Sequence, residues 1–265
     1  LDVRQALSEG QLELYYQPLL DLKTMRIRTC EALLRWRHPQ RGMVPPSEFI
    51  PVAEDIGIIR EIGDWVLQQA CLECAHWPPD VRVAVNLSPV QFRNTRLPDV
   101  VTDALRAANL APNRLEVEIT ESVLLKDTPT IRAMLQELVE AGVRISLDDF
   151  GTGYSGLSYL QTFPLDKVKI DRSFVAELHS GDRSLTLLRG MAKLSATLGL
   201  SVTVEGIETP EQLDIIAAEG TVDEAQGYVF SVPLPSAQIR ELIASQGTGN
   251  RRPRNGNKGR ETAAA

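Results

Sequence analysis

From Arg82 onward, short β-branched strand patterns alternate with helical ones. RVAVN, LEVEITE, VRISLDD, DKVKID and SVTVE are interleaved with LPDVVTDALRAANL, TPTIRAMLQELVEAG, YSGLSYL and SLTLLRGMAKLSATLG, and TPEQLDIIAAEG and SAQIRELIAS follow. Such alternation requires parallel strands joined by crossover helices, and the strand count approaches eight. Upstream, ELYYQPLL and MRIRTCEALLRW read as two strands with a turn near Lys23 and Thr24, a close antiparallel pair. Helical patterns follow at Ser47 to Glu54 and Glu61 to Ala75, the second ended by Pro78 and Pro79. The hairpin is irregular for a (β/α)8 barrel, which would place a helix between its first two strands.

Side chains alternate across a strand, so each strand has two faces. Val83, Val85 and Leu87 oppose Arg82, Ala84 and Asn86; Val117 and Ile119 oppose Glu116 and Glu118; Ile145 and Leu147 oppose Arg144, Ser146 and Asp148. Val168 and Ile170 oppose Lys167, Lys169 and Asp171, and Val202 and Val204 oppose Thr203 and Glu205. With the apolar faces under helices, the polar faces line a barrel interior. Glu116, Arg144 and Lys167 then form a lower layer of structural ion pairs. The strands end on Asn86, Glu118, Asp148 with Asp149, Lys169 and Glu205. Groups of this kind from nearly every strand favour a barrel mouth over the single switch point of an open sheet.

A chain of 265 residues, 43% hydrophobic, can bury one large core, and one domain is expected over 1–245. The net charge of −7 conceals a basic end: Arg251, Arg252, Arg254, Lys258 and Arg260 against Glu261 give a surplus of four, leaving −11 for the rest. An acidic body argues against binding a nucleic-acid polymer. Residues 246–265, rich in Gly, Asn and Arg, read as a disordered tail. Three cysteines provide no disulfide framework, and Cys71 and Cys74, with His76 nearby, lack a second ligand pair for zinc. No apolar run reaches the ~20 residues that span a bilayer. The first residue is Leu1, so we expect a piece of a longer protein, a cytoplasmic domain whose other parts could include a membrane anchor.

Glu31, Glu118, Asp148, Asp149 and Glu205 place five carboxylates in one mouth, with Asn86 as a neutral oxygen ligand. Two unit charges ~4 Å apart repel by roughly 4 kcal/mol at an effective dielectric of about 20, so the cluster needs cations. An all-oxygen set without His or Cys favours Mg2+ or Mn2+. Adjacent Asp148 and Asp149 could serve two ions, as in-line attack on phosphorus requires, with Lys169 and Arg35 supplying positive charge. Glu121, three residues past Glu118, has left the strand face and is assigned to holding a nearby loop. Asp171 and Glu208 could support the ligands. Gly151, Gly153 and Gly156 also satisfy GxGxxG after a strand, but Asp148 and Asp149 would repel a pyrophosphate there, and we read these glycines as a flexible loop beside the metals.

The motifs YYQPLL, EALLRW, VNLSP, EITES, DDFGTGYSGLSYL, KIDRSF, VEGIET and QGYVFSVPLP stand in one order. In this the chain resembles, over Leu1 to Ser245, the EAL family of cyclic di-GMP phosphodiesterases of bacterial second-messenger signalling. The resemblance implies an α/β fold, a (β/α)8 TIM-like barrel with an antiparallel first strand, which accounts for the hairpin. It implies hydrolysis of cyclic di-GMP to linear pGpG with two Mg2+ or Mn2+ ions; Ca2+, which prefers more oxygen ligands at longer distances, is expected to occupy the acidic cluster and inhibit. Matched by motif, Glu31, Asn86, Glu118, Asp148, Asp149 and Glu205 are metal ligands, and Lys169 positions the attacking water; Glu31, Lys169 and Glu205 are thereby the catalytic set. Gln17, Leu33, Arg35 and Gln226 match substrate contacts. Glu121 matches the glutamate that fixes the loop from Asp149 to Ser155, which in the family couples metal binding to dimerisation, so a homodimer is expected. Sensory or GGDEF domains are expected elsewhere in the full-length protein. Gly156, Val204 and Val232 depart from commoner residues of the family, and none is a ligand. The alternative is a silent member acting as a cyclic di-GMP receptor or interaction platform; such members are expected to lose a ligand, the lysine or the loop glutamate, and here all are present.

Overall fold

The computed structural model describes residues 2–126, 128–153, 159–176, 178 and 183–246. Its strands are β1 (Leu12–Asp21), β2 (Arg26–His38), β3 (Gly42–Val44), β4 (Arg82–Asn86), β5 (Leu115–Thr120), β6 (Arg144–Phe150), β7 (Lys167–Ile170), β8 (Ser201–Val204), β9 (Glu224–Gln226) and β10 (Leu234–Pro235). Eight of them close a barrel in the order β1, β2, β4, β5, β6, β7, β8, β9 and back to β1. Neighbours pair in parallel from β2 round to β9, while β1 is antiparallel to both β2 and β9. β3 and β10 extend the sheet outside the ring. The barrel with an antiparallel first strand is the fold expected from sequence.

A tight turn makes the reversal. Asp21 Oδ1 accepts from the Thr24 N–H at 2.6 Å and from its hydroxyl at 2.8 Å, and Met25 takes a left-handed backbone with φ 54°. This folds β1 directly onto β2, with Gln17 opposite Glu31. The crossover helices begin where sequence chemistry starts helices. Thr128 caps Pro129–Glu140 by accepting from the Ile131 N–H, and Thr209 with Gln212 forms a capping box ahead of Pro210–Ala217. Helices Pro46–Asp55 and Ile59–Cys74 occupy the two upstream patterns. Of the YSGLSYL segment only Tyr159–Thr162 is helical among the described residues, and 154–158 lie outside them. No helix among the described residues is long and apolar enough to cross a membrane.

The apolar strand faces behave as their alternation requires: Val83, Val117, Ile119, Ile145, Leu147, Val168, Ile170, Val202 and Val204 are all fully buried between barrel and helices. Each contributes about 1.5–3 kcal/mol of burial. Inside the barrel, the expected charged layer is an ion-pair network. Lys167 Nζ lies 2.8 Å from Glu116 Oε1 and 2.7 Å from Glu224 Oε2, with Arg144 and Arg82 at the margins. Burial acts to lower the Lys167 pKa, but Glu116 and Glu224 outweigh it and hold the ammonium charged. Glu224, a member that sequence did not single out, sits on a strand of only three residues. The last described helix, Ser236–Ser245, is anchored beyond its end by Gln246, which accepts from the Ile27 N–H. Residues 247–265, most of the segment expected to be a tail, lie outside the described residues.

Candidate active site

The carboxyl ends of the parallel strands meet at one mouth. Asn86 ends β4, Glu118 lies near the end of β5, Asp148 and Asp149 near the end of β6, Lys169 in β7, Gln226 at the end of β9, and Glu205 directly follows β8. Glu31 reaches the same space from β2 and Gln17 from β1. Neighbours in a regular strand point to opposite faces, so Asp148 and Asp149 should diverge. Two irregularities bring them together: the β6 to β7 register shifts between Leu147 and Phe150, and Asp149 adopts a left-handed backbone with φ 55°. Carboxylate oxygens of Asp148, Asp149 and Glu205 consequently lie within 4.8 Å of one another.

Lys169 is at the centre and has no exposed surface. Its Nζ is 2.7 Å from Glu205, 2.9 Å from Glu118, 3.2 Å from Asp148 and 3.5 Å from Glu31. Burial alone would lower its pKa; the surrounding Asp148, Glu118, Glu205 and Glu31 raise it well above the ordinary lysine value. These carboxylates favour its charged form. The carboxylates divide by environment. Burial first, and then Glu31 and Asp148, push Glu118 well above the carboxylate range. Burial with Asp148 and Glu31 brings Glu205 to about 8, and burial with Asp148 and Asp171 raises Asp149. Glu31 goes the other way: burial favours its protonation, but Lys169 and hydrogen bonds from Gln226 and Asn86 hold it low.

Those hydrogen bonds form one network. Asn86 Nδ2 donates to Glu31 Oε1 at 2.7 Å, and Gln226 Nε2 donates to Glu31 Oε2 at 2.7 Å and to Gln17 Oε1 at 3.2 Å. Gln17 Nε2 in turn donates to the Ser231 carbonyl at 3.3 Å. Arg35 stands half-buried, its guanidinium 5.7 Å from the Tyr15 ring centroid and bonded to the Leu34 carbonyl. Leu33, half-buried, lies opposite Tyr15 in the hairpin. The Tyr15 platform under Arg35 escaped the sequence reading, although the hairpin register would have revealed it.

Glu121 opens the short helix Glu121–Leu124 and is buried. Its Oε1 accepts from the Gly151 N–H at 3.1 Å, and a Cβ at Gly153 would overlap its Oε2. Gly151 has φ 97°, and a Cβ there would press on Phe174 and Met191. These two glycines let the loop pass over Glu121 closely. The remainder of the expected loop, 154 and 155 with Gly156 beyond it, falls outside the described residues. Asp171 caps the Ser173 N–H, and the Glu208 backbone N–H donates to Gln212. Cys71 and Cys74 are buried thiols whose pKa values burial raises to about 12.

The donor set fits a hard divalent cation. Among the described residues five carboxylates face one ammonium, no His or Cys intervenes, and the buried Glu118 Oε1 has no hydrogen-bond partner. A carboxylate oxygen left unpartnered in such a place costs free energy that a cation would recover.

Known proteins agree with this architecture. A family model described as the EAL domain matches residues 1–233. Uncharacterized protein y4lL of Sinorhizobium fredii is 52% identical over 246 residues, 93% of this chain and 30% of its own length. Cyclic di-GMP phosphodiesterase NbdA of Pseudomonas aeruginosa is 42% identical over 246 residues, 91% of this chain and 31% of its own. The chain thus spans about a third of the length of these curated relatives. A solved structure, the PaMucR phosphodiesterase in complex with c-di-GMP, superposes with a TM-score of 0.86 at 40% identity, covering 90% of this chain and 98% of that one.

Proposed function

The chain belongs to the EAL domain family, and from that premise we propose that it is a phosphodiesterase that hydrolyses cyclic di-GMP to linear pGpG. The observation that carries this reading is the convergence of five carboxylates and Asn86, from five strands, around the buried Lys169. We assign Glu31, Asn86, Glu118, Asp148, Asp149 and Glu205 to two Mg2+ or Mn2+ ions. When bound, these ions supply an activated water and neutralise charge on the phosphodiester.

The chain's own residues do the rest. Asn86 and Gln226 each donate to Glu31, which keeps that carboxylate ionised and oriented. Lys169, held charged by the surrounding carboxylates, orients the attacking water and balances the negative charge of the mouth. Arg35, steadied on Tyr15, takes a phosphate oxygen, while Gln17, Leu33 and Gln226 hold the rest of the substrate. Glu121 fixes the loop that begins at Gly151 and thereby the position of Asp149. Calcium, preferring more oxygen ligands at longer distance, would occupy the carboxylates without aligning the attack. The unit is assigned to residues 1–245, working as a homodimer within a longer protein that carries sensory or GGDEF domains. Incubation with cyclic di-GMP and Mg2+, followed by chromatography of the products, tests the reading. Binding without pGpG formation would turn it to the silent receptor.

A further inference from the structure

At the other mouth of the barrel, where the parallel strands begin, lies a second cavity of about 510 Å3. We propose that it binds a small phosphate-bearing ligand through Arg28 and Arg82. The volume falls in the ~300–1,000 Å3 range of small-molecule pockets. Its floor is Lys167, one inward position below Lys169, so the buried ion-pair layer separates it from the catalytic end.

The mouth is lined by four carboxylates, Asp21, Asp80, Asp223 and Glu224, and four cations, Arg28, Arg82, Arg114 and Lys167. Each carboxylate of this mouth already holds a donor through at least one oxygen: Asp21 holds Thr24, Asp223 holds the Val202 N–H at 3.1 Å, Asp80 holds Arg28 at 2.7 Å, and Glu224 holds Lys167 at 2.7 Å. A guanidinium has five N–H groups. Among the described residues Arg28 directs one to Asp80, and Arg82 makes a long contact of 3.4 Å to Glu224 while its buried Nε has no acceptor. The two arginines stand on neighbouring strands, because Thr29, next to Arg28, pairs with Arg82. A ligand that completes the two arginines accepts, and together they offer more open N–H groups than the two oxygens of a carboxylate would take. A phosphate, with three peripheral oxygens matched to guanidinium forks, satisfies them.

Isothermal titration of the metal-free protein with pyrophosphate in EDTA, at constant ionic strength, tests this. We expect saturable binding at one site, weakened about tenfold or more by Arg28→Gln and by Arg82→Gln and unchanged by Arg35→Gln at the catalytic mouth. Thermal unfolding checks each variant, and if Arg82→Gln fails to fold, Arg28→Gln alone decides. The proposal is overturned if the wild type shows no saturable binding, if a folded Arg28 or Arg82 variant binds as the wild type does, or if Arg35→Gln abolishes the binding.

Discussion

Lys169 Nζ lies 2.9 Å from Glu118 Oε2, yet the other oxygen of that buried carboxylate, Oε1, has no hydrogen-bond partner among the described residues. The lysine therefore satisfies half of Glu118 and leaves the rest for a cation. Replacing Glu118 by Gln should keep the fold and weaken Mg2+ binding, with hydrolysis falling at least about a hundredfold, as for groups that support a metal site. Metal titration and turnover measured on one preparation check this; turnover within a few-fold of wild type would contradict it.

Glu31→Ala should abolish hydrolysis while cyclic di-GMP still binds, because Arg35 and Gln17 remain. The change also removes one of the two acceptors of Gln226 Nε2, which keeps Gln17, and the acceptor of the exposed Asn86 Nδ2, which water can replace, at a cost of about 1 kcal/mol in lost hydrogen bonding. Glu31→Gln, which restores an acceptor, should recover stability in a denaturant melt but not turnover.

Glu121 separates loop support from ligation. With Glu121→Ala the Gly151 N–H loses its acceptor and Asp149 shifts. A displacement of ~1 Å at a reacting group can cost on the order of a hundredfold in rate. Hydrolysis in Mg2+ should fall much further than cyclic di-GMP affinity measured in Ca2+. Equal losses in both, or none in either, would remove Glu121 from the loop.

The acidic mouth sets a pH dependence. Folded Glu205 keeps its proton up to about 8, whereas an ordinary glutamate loses it near 4.5. Between those values the native state binds more protons than the unfolded chain, so stability falls as pH rises. Glu118 is shifted the same way. In EDTA the melting temperature should drop from pH 5 to pH 8.5, and Glu205→Gln should flatten the slope. Added Mg2+ should raise the melting temperature more at pH 8 than at pH 6. A flat or rising profile in EDTA would contradict these assignments.

Lys167→Met tests the lower layer. It leaves Glu116 and Glu224 buried without their shared cation, which should cost about 3–5 kcal/mol in urea unfolding. A loss below about 1 kcal/mol would show the layer to be dispensable.

Much of this was legible in sequence because strand alternation alone assigns inward and outward faces. Val83, Ile145 and Val168 went out, and Glu118, Lys169 and Asn86 went in. Glu121 was set apart from Glu118 by spacing alone, and the structure puts it against the loop. Other features depend on geometry that no local pattern encodes. Asp148 and Asp149 share a mouth only through a register shift and a left-handed backbone. Gln17 and Gln226 meet across 209 positions because β1 pairs with a three-residue strand too short for any periodicity. The lower cavity was equally invisible, since Arg28 and Arg82 become neighbours only through the pairing of β2 with β4.

The most direct measurement of the central claim is product analysis of cyclic di-GMP incubated with the wild-type chain in Mg2+, in Ca2+ and in EDTA. Linear pGpG accumulating with Mg2+, and not with Ca2+ or EDTA, is the expected result. Intact cyclic di-GMP in all three, or cleavage in Ca2+ as fast as in Mg2+, would contradict it.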